Sequence, residues 1–501
     1  MLAAGCGTID HNYPRTESYV LQDTADTYFG RAISPNVAEM PADQSGFYPL
    51  SDGIEALAAR LLLAERAEIS IDAQYYLIKN DVVGRAFMYD LLQAADRGVR
   101  VRLLLDDMFT IGQDHNLAAL DSHRNFEIRI VNPFHRGTAG KVKSLFTGLS
   151  RVNRRMHNKS FTIDNQITIV GGRNISNQYF GAGKKKNFGD LDVAAVGSIV
   201  QEVSNSFDSY WNHQTALPLP AFIKELKDPK AALSALRQKL EESLQGANGS
   251  DYADAVRSKA LNFIESGRNM LVWAPYRLAV DSPDKGIKAK AKNAVSITTA
   301  VLESLRSAEK DILIITPYFV PLKSGVTVLS EMQQSGVDVT IITNSLASNN
   351  QFTTHGGYIP WRKPLLQAGI KIYEARPDAD VQGTEFINAS GAKATLHTKA
   401  FIVDDKEVFI GSFNFDPRSA NLNTEIGVII REPDLALVYA AKVKDELRQQ
   451  SFEVFLNDKG KVRWRGYDDG RETIYKKEPE TSWRARFAAW VARILISNTQ
   501  L

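Results

Sequence analysis

The sequence predicts an α/β protein that contains two copies of one domain, each with a mainly parallel sheet. Segments with the hydrophobic period of a helix alternate along the chain with apolar segments typical of strands, as in α/β folds. Equivalent residues of the two copies recur at a nearly constant offset. Gly98 and Gly336 lie 238 residues apart, and His115 and His355 lie 240 apart. The repeated segments are LAERAEISIDAQYYLI (63–78), GVRVRLLLDD (98–107), SAEKDILIITPYFVPL (307–322) and GVDVTIITNS (336–345).

Composition excludes several classes of protein. The chain has 501 residues, 44% apolar and 24% charged, which is enough for several domains with a large core. Its net charge of +2 is too balanced for a protein whose main role is to coat nucleic acid. Cys6 is the only cysteine, which excludes internal disulfides, iron–sulfur clusters and cysteine-rich zinc sites. No apolar run reaches the ~18 residues of a membrane-spanning helix.

Five segments organise the chain. An N-terminal segment precedes the first α/β domain, and an insertion rich in Ala, Lys, Glu and Leu, which we expect to be helical, separates it from the second. A C-terminal extension with an amphipathic helix follows. The predicted bounds are 1–45, 46–217, 218–295, 296–450 and 451–501.

The N-terminus has one feature of a membrane-anchored protein. The opening MLAAGCG places small residues directly before Cys6, as at the end of a bacterial lipoprotein signal. Five preceding residues are too few for a complete signal peptide. We expect lipidation of Cys6, with an ordinary unmodified cysteine as the alternative.

The C-terminus reads as an amphipathic helix. Its apolar face comprises Trp483, Phe487, Trp490, Val491 and Ile494, and its edges carry Arg484, Arg486 and Arg493. Aromatic rings and arginines in this arrangement suit the bilayer interface. The same pattern also fits a terminal helix that docks on the protein's own core.

One polar motif occurs once in each half, with the form His-x-Lys-x4-Asp-x6-Gly-[Gly/Ser]-x-Asn. The two matches lie 240 residues apart, in register with the repeat. This recurrence favours catalysis over two isolated structural histidines. The residues are His157, Lys159, Asp164, Gly171, Gly172 and Asn174, and then His397, Lys399, Asp404, Gly411, Ser412 and Asn414.

The motif spacing predicts phosphoryl chemistry. A histidine and a lysine two residues apart project from one face of a strand. A pseudo-two-fold would bring both pairs to one point, where ammonium groups neutralise phosphate oxygens and the imidazoles serve as nucleophile and general acid. The lysines supply the positive charge, so we predict neither a metal nor a cofactor. Asp164 and Asp404 lie at strand ends, where we expect them to fix the loop.

A catalytic imidazole also needs a carboxylate to hold its tautomer. Glu425, in NLNTEIGVII, lies eleven residues after Asn414. The corresponding stretch of the first half is GDLDVAAVG. Asp192 aligns best with Glu425 there, and Asp190 is the second choice.

The paired motifs resemble those of the phospholipase D superfamily, over about residues 45–435. The resemblance implies two phospholipase D-like α/β domains related by a pseudo-two-fold, one shared active site and a covalent phosphohistidine intermediate. By analogy with two-domain relatives, His157 is the nucleophile and His397 the general acid. Gly172 departs from the Ser of many members, which is present here as Ser412, so one hydroxyl contact is in question.

Two segments narrow the resemblance to bacterial cardiolipin synthases of the C branch, namely WAPYRLAVDSPDKG (273–286) and HGGYIPWRKPLLQAGIKIYE (355–374). The implied reaction is phosphatidyl transfer that makes cardiolipin from phosphatidylglycerol and a second phospholipid. Hydrolysis of phospholipids to phosphatidic acid is the alternative. We expect His355 to line the site entrance and Asn174 and Asn414 to orient substrate.

Phospholipids and the membrane surface are the expected partners, and the sequence identifies no accessory protein. Lipidation of Cys6 would place the enzyme on a periplasm-facing bacterial membrane surface, and peripheral binding to the cytoplasmic face is the alternative. A nuclease is the third interpretation, because several basic residues could contact a nucleic-acid backbone. The same residues suit anionic lipid headgroups equally well. Those residues are Arg151, Arg154, Arg155 and Lys184 to Lys186. We expect no nucleic acid partner.

Overall fold

The computed structural model describes residues 9–136, 153–267, 270–287, 296–378, 393–468 and 470–495. Within these ranges the protein has a mixed α/β fold with one large sheet. Cys6 lies outside the described residues, so its lipidation stays a prediction.

The first half contains five described helices and nine strands. The helices are α1 (Tyr28–Ala38), α2 (Gly53–Arg66), α3 (Val82–Asp96), α4 (Asp114–Asp121) and α5 (Ser198–Trp211). The strands are β1 (Gln44–Leu50), β2 (Ser70–Tyr75), β3 (Arg100–Asp106), β4 (Phe126–Val131), β5 (Ser160–Ile163), β6 (Ile167–Gly171), β7 (Lys186–Gly189), β8 (Asp192–Gly197) and β9 (Ala216–Pro218).

The second half repeats this order after a connecting region. The connecting region holds α6 (Pro229–Gln245), α7 (Asp251–Gly267) and β10 (Val272–Val280). The helices that follow are α8 (Ile297–Arg306), α9 (Leu322–Gln334), α10 (Phe352–Gln367), α11 (Pro417–Asn421), α12 (Pro433–Gln450) and α13 (Trp483–Leu495). The strands are β11 (Asp311–Ile315), β12 (Asp338–Asn344), β13 (Lys371–Ala375), β14 (Lys393–Leu396), β15 (Ala400–Val403), β16 (Glu407–Gly411), β17 (Ile426–Arg431), β18 (Ser451–Leu456), β19 (Val462–Asp468) and β20 (Arg471–Tyr475).

Aspartate caps set the start of several helices. Asp52 accepts hydrogen bonds from the first backbone N–H groups of α2, and Asp81 does the same for α3. Asp228 caps α6, where Pro229 follows at the first helical position. These side chains satisfy donors that have no partner in the first turn.

The sheet is mixed, and the prediction of mainly parallel sheets is wrong. Strands of the first half pair in the order β1-β8-β6-β5-β2-β3-β4-β9. Those of the second half pair in the order β10-β17-β16-β15-β11-β12-β13-β18-β19-β20. Among these pairs, only β2–β3–β4 and β11–β12–β13 run parallel.

Two of the antiparallel pairs, β5–β6 and β15–β16, are tight hairpins that follow each motif lysine. Asp164 and Asn165 have φ of 50° and 49°, and Asp404 and Asp405 have φ of 54° and 52°. Left-handed values at both central positions are typical of a type I′ hairpin turn, and Asp and Asn tolerate them. Helix-linked parallel strands therefore account for only three strands in each half.

Strand β10 joins the two halves into one sheet. Its residues Val272–Pro275 pair with β1, and Tyr276–Val280 pair with β17. The region predicted as a helical insertion therefore contains two long helices and, in addition, this strand. Apolar side chains of both halves pack together beside it, among them Phe47, Leu191 and Ile402.

The C-terminal helix α13 docks on α10 and keeps an exposed aromatic face. Gly356 of α10 lies so close to α13 that an added Cβ would meet the carbonyl oxygen of Ala489 at 2.9 Å. Trp483, Phe487 and Trp490 are 67%, 57% and 53% exposed. The interpretation of α13 as a docked helix is therefore confirmed, and its contact with a bilayer stays a prediction. No helix among the described residues is both long enough and apolar enough to span a bilayer.

The motif aspartates Asp164 and Asp404 anchor their hairpins to neighbouring strands. Each carboxylate accepts three backbone N–H groups at the start of β2 or β11, with N···O distances of 2.7 to 3.3 Å. The donors are Glu68, Ile69 and Ser70, and Glu309, Lys310 and Asp311. Because these contacts lie at the far end of β5 and β15 from the motif histidines, both aspartates have structural positions.

Replacing Asp404 with Ala should therefore lower the free energy of unfolding by about 2–4 kcal/mol, because three backbone donors lose a charged acceptor. Urea denaturation measures the change. Lys406→Ala, an exposed substitution in the same turn, is the control and should change stability by less than about 0.5 kcal/mol. Equal stability of the two variants would contradict the anchoring role.

Candidate active site

Backbone pairing between the halves brings the two motifs together. Strand β14, just before His397, runs parallel to β7 of the first half. Met156, just before His157, forms a parallel bridge with Thr424. The backbone N–H of His157 donates to the Thr424 carbonyl at 2.9 Å, and that of His397 donates to the Gly189 carbonyl at 2.7 Å. Each motif is thus held by the backbone of the other half.

The imidazole of His157 is held by an acid of the second half. Its Nδ1 lies 2.8 Å from Oε2 of the fully buried Glu425. Ser412 donates to Oε2 of this carboxylate at 2.5 Å, and Ser419 donates to Oε1 at 2.7 Å. A proton on Nδ1 facing the carboxylate leaves Nε2 as the nitrogen with a lone pair.

Asp281 supports this pair from the end of β10. Its carboxylate accepts the backbone N–H of Glu425 at 3.0 Å and the ammonium group of Lys285 at 2.7 Å. It also accepts the backbone N–H of Ile297 at 3.2 Å. Sequence reasoning missed this residue, because Asp281 has no counterpart within the repeated motif.

The imidazole of His397 is held by an acid of the first half. Its Nδ1 lies 2.5 Å from Oδ2 of Asp190. Lys399 Nζ lies 2.8 Å from the same Nδ1 and 3.3 Å from Nε2, so an ammonium charge adjoins the ring. The Tyr179 hydroxyl lies 3.5 Å from Nε2 and accepts a hydrogen bond from Asn174 Nδ2 at 2.9 Å.

Asp192, the preferred partner in the sequence alignment, does not contact His397. Its carboxylate lies 2.8 Å from Nη2 of Arg60 and 3.3 Å from Nη1 of Arg173, and all three side chains are buried. Asp192 therefore belongs to a structural ion-pair cluster, and Asp190 takes the orienting position.

The alignment is wrong by two residues. In each half the first motif glycine faces a residue of the next strand, and these partners are Asp192 and Gly427. Asp190 and Glu425 stand two residues earlier and are the true counterparts. A shift of two keeps a side chain on the same face of a strand, so alternation could not reveal the error.

Gly172 and Ser412 occupy equivalent motif positions. They differ because the space beside Asp190 is smaller than the space beside Glu425. A Cβ at Gly172 would lie 2.2 Å from Oδ1 of Asp190, so no side chain fits there. In the second half Ser412 fits and donates to Glu425. The missing hydroxyl is thus specific to the Asp190 side.

Both motif lysines are buried beside the histidines. Lys159 and Lys399 are 2% and 1% exposed, and each ammonium donates to the carbonyl oxygen of its own motif histidine. Burial lowers the pKa of Lys159 to about 7 and that of Lys399 to about 8, although the carboxylate of Glu425 opposes this shift. Among the described residues, no group of three or more His, Cys, Asp or Glu side chains is arranged to hold a metal.

The two histidines are electrostatically different. Burial and the neighbouring Lys399 ammonium lower the pKa of His397 to about 4, against the opposing effect of Asp190. Burial also lowers the pKa of His157, while Glu425 opposes it. The lysine of the other half lowers each histidine pKa as well, so charges of both motifs act at one place.

Aromatic rings form the walls around the imidazoles. Tyr76 packs on His157 with its ring centroid 5.0 Å away. The rings against His397 are Tyr179, Phe188 and Tyr318, at 5.0, 5.2 and 6.3 Å. Sequence reasoning assigned neither Tyr76 nor Tyr318 to the site, although the pairs Tyr75–Tyr76 and Tyr318–Phe319 occupy equivalent places in the repeat.

The motif asparagines lie in the same region. Asn174 donates to Tyr179, and the backbone N–H of Asn414 donates to Ser419 Oγ at 3.2 Å. Within the part of the chain that the structure describes, the Oδ1 atoms of both asparagines are buried and accept no hydrogen bond.

His355 does not line an entrance, contrary to expectation. It is 1% exposed inside the second half, with Nε2 3.0 Å from Arg362 and 3.5 Å from Glu478. Arg362 in turn pairs with the buried Glu374. The pattern HGGYIPWRK therefore encodes a buried charge network beneath α13, because Glu478 belongs to the segment that leads into that helix.

Two of the basic residues considered for nucleic acid are committed to protein partners. Arg155 forms a buried ion pair with Asp106, and Arg154 donates to the carbonyl oxygens of Lys285 and Asn421. Arg151 lies outside the described residues. These contacts engage Arg154 and Arg155 within the protein, whereas Lys184 and Lys185 are exposed.

Comparison with known proteins settles the family. A family model described as cardiolipin synthase, PLD-like domain, matches residues 62–211 and 301–447. The chain belongs to this family. Cardiolipin synthase C of Escherichia coli strain K12 is 40% identical over 468 residues, which cover 93% of this chain and 98% of that protein.

Two further relatives extend the comparison. An uncharacterized protein of Helicobacter pylori strain J99 is 30% identical over 98% of this chain and 96% of its own length. The crystal structure of phosphatidylserine synthase from Haemophilus influenzae Rd KW20 superposes with a TM-score of 0.58. It covers 93% of this chain and 96% of that chain at 14% identity, and shows the same fold.

The contrast between Asp190 and Asp192 can be tested in this cardiolipin synthase family member. Asp190→Asn should lower the transfer rate by roughly 10²-fold or more, because the His397 tautomer loses its carboxylate. Asp192→Asn should instead lower the free energy of unfolding by about 3–5 kcal/mol, because two buried guanidinium groups lose a charged partner. Transfer assays and urea denaturation separate the effects. A larger rate loss in folded Asp192→Asn would contradict the assignment.

The lysine pKa values predict the alkaline side of the pH–rate profile. A buried ammonium binds phosphate only while protonated, so kcat/KM of the free enzyme should fall as pH rises through about 7 to 8. Lys159→Arg should move this limb to higher pH, because guanidinium keeps its proton. A wild-type profile that stays flat to strongly alkaline pH would exclude these lysines as the titrating groups.

Proposed function

We propose that this protein makes cardiolipin from phosphatidylglycerol and a second phospholipid by transfer of a phosphatidyl group. The main support is the crosswise pairing, in which each histidine contacts an acid of the opposite half. A buried lysine lies beside each histidine. The similarity to cardiolipin synthase C of Escherichia coli supports the phospholipid substrate class.

The pairing supports a two-step double displacement. His157 Nε2 attacks phosphorus of the donor phospholipid, the bond from phosphorus to the head-group oxygen breaks, and that oxygen takes a proton from His397. The acceptor hydroxyl then returns a proton to His397, attacks phosphorus and releases His157. Glu425 stabilises the positive charge that His157 gains in the first step.

The lysines supply charge where the transition state needs it. Two ammonium groups stabilise the non-bridging phosphate oxygens without further reorganisation. An anionic phosphate between them also offsets the repulsion that Lys399 exerts on protonated His397. Substrate binding would thus raise the pKa of His397 and let it hold the proton for the leaving group.

We further propose that the halves are related by a pseudo-two-fold that creates one shared active site. Equivalent elements surround each histidine, and each acid comes from the other half. Neither half contains a complete set alone. Water competes with the acceptor for the same intermediate, so exclusion of water decides between transfer and hydrolysis.

The membrane surface is the proposed location of this reaction, because both substrates reside there. Trp483, Phe487 and Trp490 project from α13 and would insert at the headgroup level. Lipidation of Cys6 would add an anchor and a periplasm-facing orientation, and one acyl chain alone binds weakly, at ~10⁴ M⁻¹.

His157→Ala and His397→Ala should each abolish transfer with melting temperatures within a few degrees of wild type. Each loss should exceed about 10²-fold, because the site needs both nucleophile and acid. Purified enzyme is incubated with labelled phosphatidylglycerol, with and without phosphatidylethanolamine, and the lipid products are resolved. Phosphatidic acid as the sole product would favour hydrolysis, and a variant with above about a tenth of the wild-type rate would refute the shared site.

Replacing Trp483, Phe487 and Trp490 together with Ala should weaken binding to anionic liposomes and raise the substrate concentration for half-maximal rate. The three rings are exposed, so the free energy of unfolding should change little. Turnover on detergent-dispersed substrate is the matched control and should stay unchanged. Unaltered liposome binding would rule out this face as the membrane contact.

A further inference from the structure

An apolar cavity of about 170 Å³ lies between α12 and the second-half strands, behind the candidate active site. Its lining is mostly aliphatic and comes from β11, β12, β15 and α12. The side chains that matter here are Ile315, Ile342, Leu396, Ile402, Val443 and Leu447. Gly189, Asp190 and Leu191 of the first half close one side.

The segment 396–400, which connects β14 to β15, separates this cavity from the catalytic groups. Leu396, Thr398 and Ala400 line the cavity, whereas the alternate residues His397 and Lys399 belong to the active site. Successive side chains of an extended strand point to opposite faces. A guest in the cavity would therefore contact the backs of the segments that carry His397 and Asp190.

The chemistry of the lining selects an uncharged chain with a polar end. Apolar cavities of about 150 Å³ stay dry and bind apolar guests. Polar side chains of Ser51, Glu446 and Gln450 also border the cavity. The cation beside them, Arg376, is already paired with Asp378 at 3.0 Å, so it does not select an anion.

We propose that this cavity binds one acyl chain of a phospholipid that is not the reacting molecule. The ligand class rests on the proposed function, which places the protein among phospholipids. The segment 396–400 lies between the cavity and the imidazole of His397. The cavity is therefore a second lipid site, distinct from the cleft that holds the reacting phosphate. Bound there, the chain packs against the segments that position His397 and its acid.

The test uses the full chain and two valines of one helix. Val443 lines the cavity, and Val438 of the same helix is 65% exposed. Binding of fluorescent cis-parinaric acid is measured, together with its displacement by monomeric dihexanoylphosphatidylglycerol. Val443→Trp should weaken probe binding at least about tenfold, because the indole fills the cavity, and Val438→Trp should leave it within about twofold.

A gentler variant protects the test against misfolding. Val443→Thr keeps the shape and adds a hydroxyl to the apolar wall, so it should weaken probe binding by about threefold. Wild-type affinity in Val443→Thr and Val443→Trp would overturn the proposal. Displacement by palmitate but not by the phospholipid would overturn it too.

The binding result is independent of the proposed reaction. A protein that binds the chain at Val443 but fails to form cardiolipin would refute the function and retain the site. A protein that transfers phosphatidyl groups but binds the probe equally in all variants would retain the function and refute the site.

Discussion

The architecture depends on two hydrogen bonds that cross between the halves, from His157 to Glu425 and from His397 to Asp190. Each bond fixes an imidazole tautomer and gives a buried carboxylate a charge-assisted partner. The same contacts therefore join the two domains and prepare the chemistry.

Contacts near the site and contacts farther away both hold these two histidine–carboxylate pairs in place. Near the site, hydroxyls of Ser412 and Ser419 and the clamp of Asp281 satisfy Glu425. Farther away, β10 joins the halves into one sheet, and the hairpin aspartates fix the strands that carry the lysines. The burial that holds these groups also lowers the lysine pKa values, so positioning and reactivity have one physical origin.

Much of the site was predictable from sequence, because the motif repeats in register and has a recognisable spacing. The crosswise pairing was not, since a repeat specifies two equivalent sets but not which acid meets which histidine. Asp192 was preferred over Asp190 because the two acids are only two residues apart, a shift that the alternation of side chains does not reveal. His355 was misplaced because Arg362 and Glu478, which bury it, are distant in sequence from the motif. The parallel sheet was overestimated although Asp-Asn at 164–165 signalled a hairpin.

The crosswise pairing is tested most directly by NMR of the full chain labelled with ¹⁵N at histidine. The Nδ1 protons of His157 and His397 should give two downfield resonances, assigned with the alanine variants. Glu425→Gln should shift or remove the His157 resonance alone, and Asp190→Asn the His397 resonance alone, whereas Asp192→Asn should preserve both. Loss of the His397 resonance in Glu425→Gln, with that of His157 unchanged, would show that each acid serves its own half and would contradict the account.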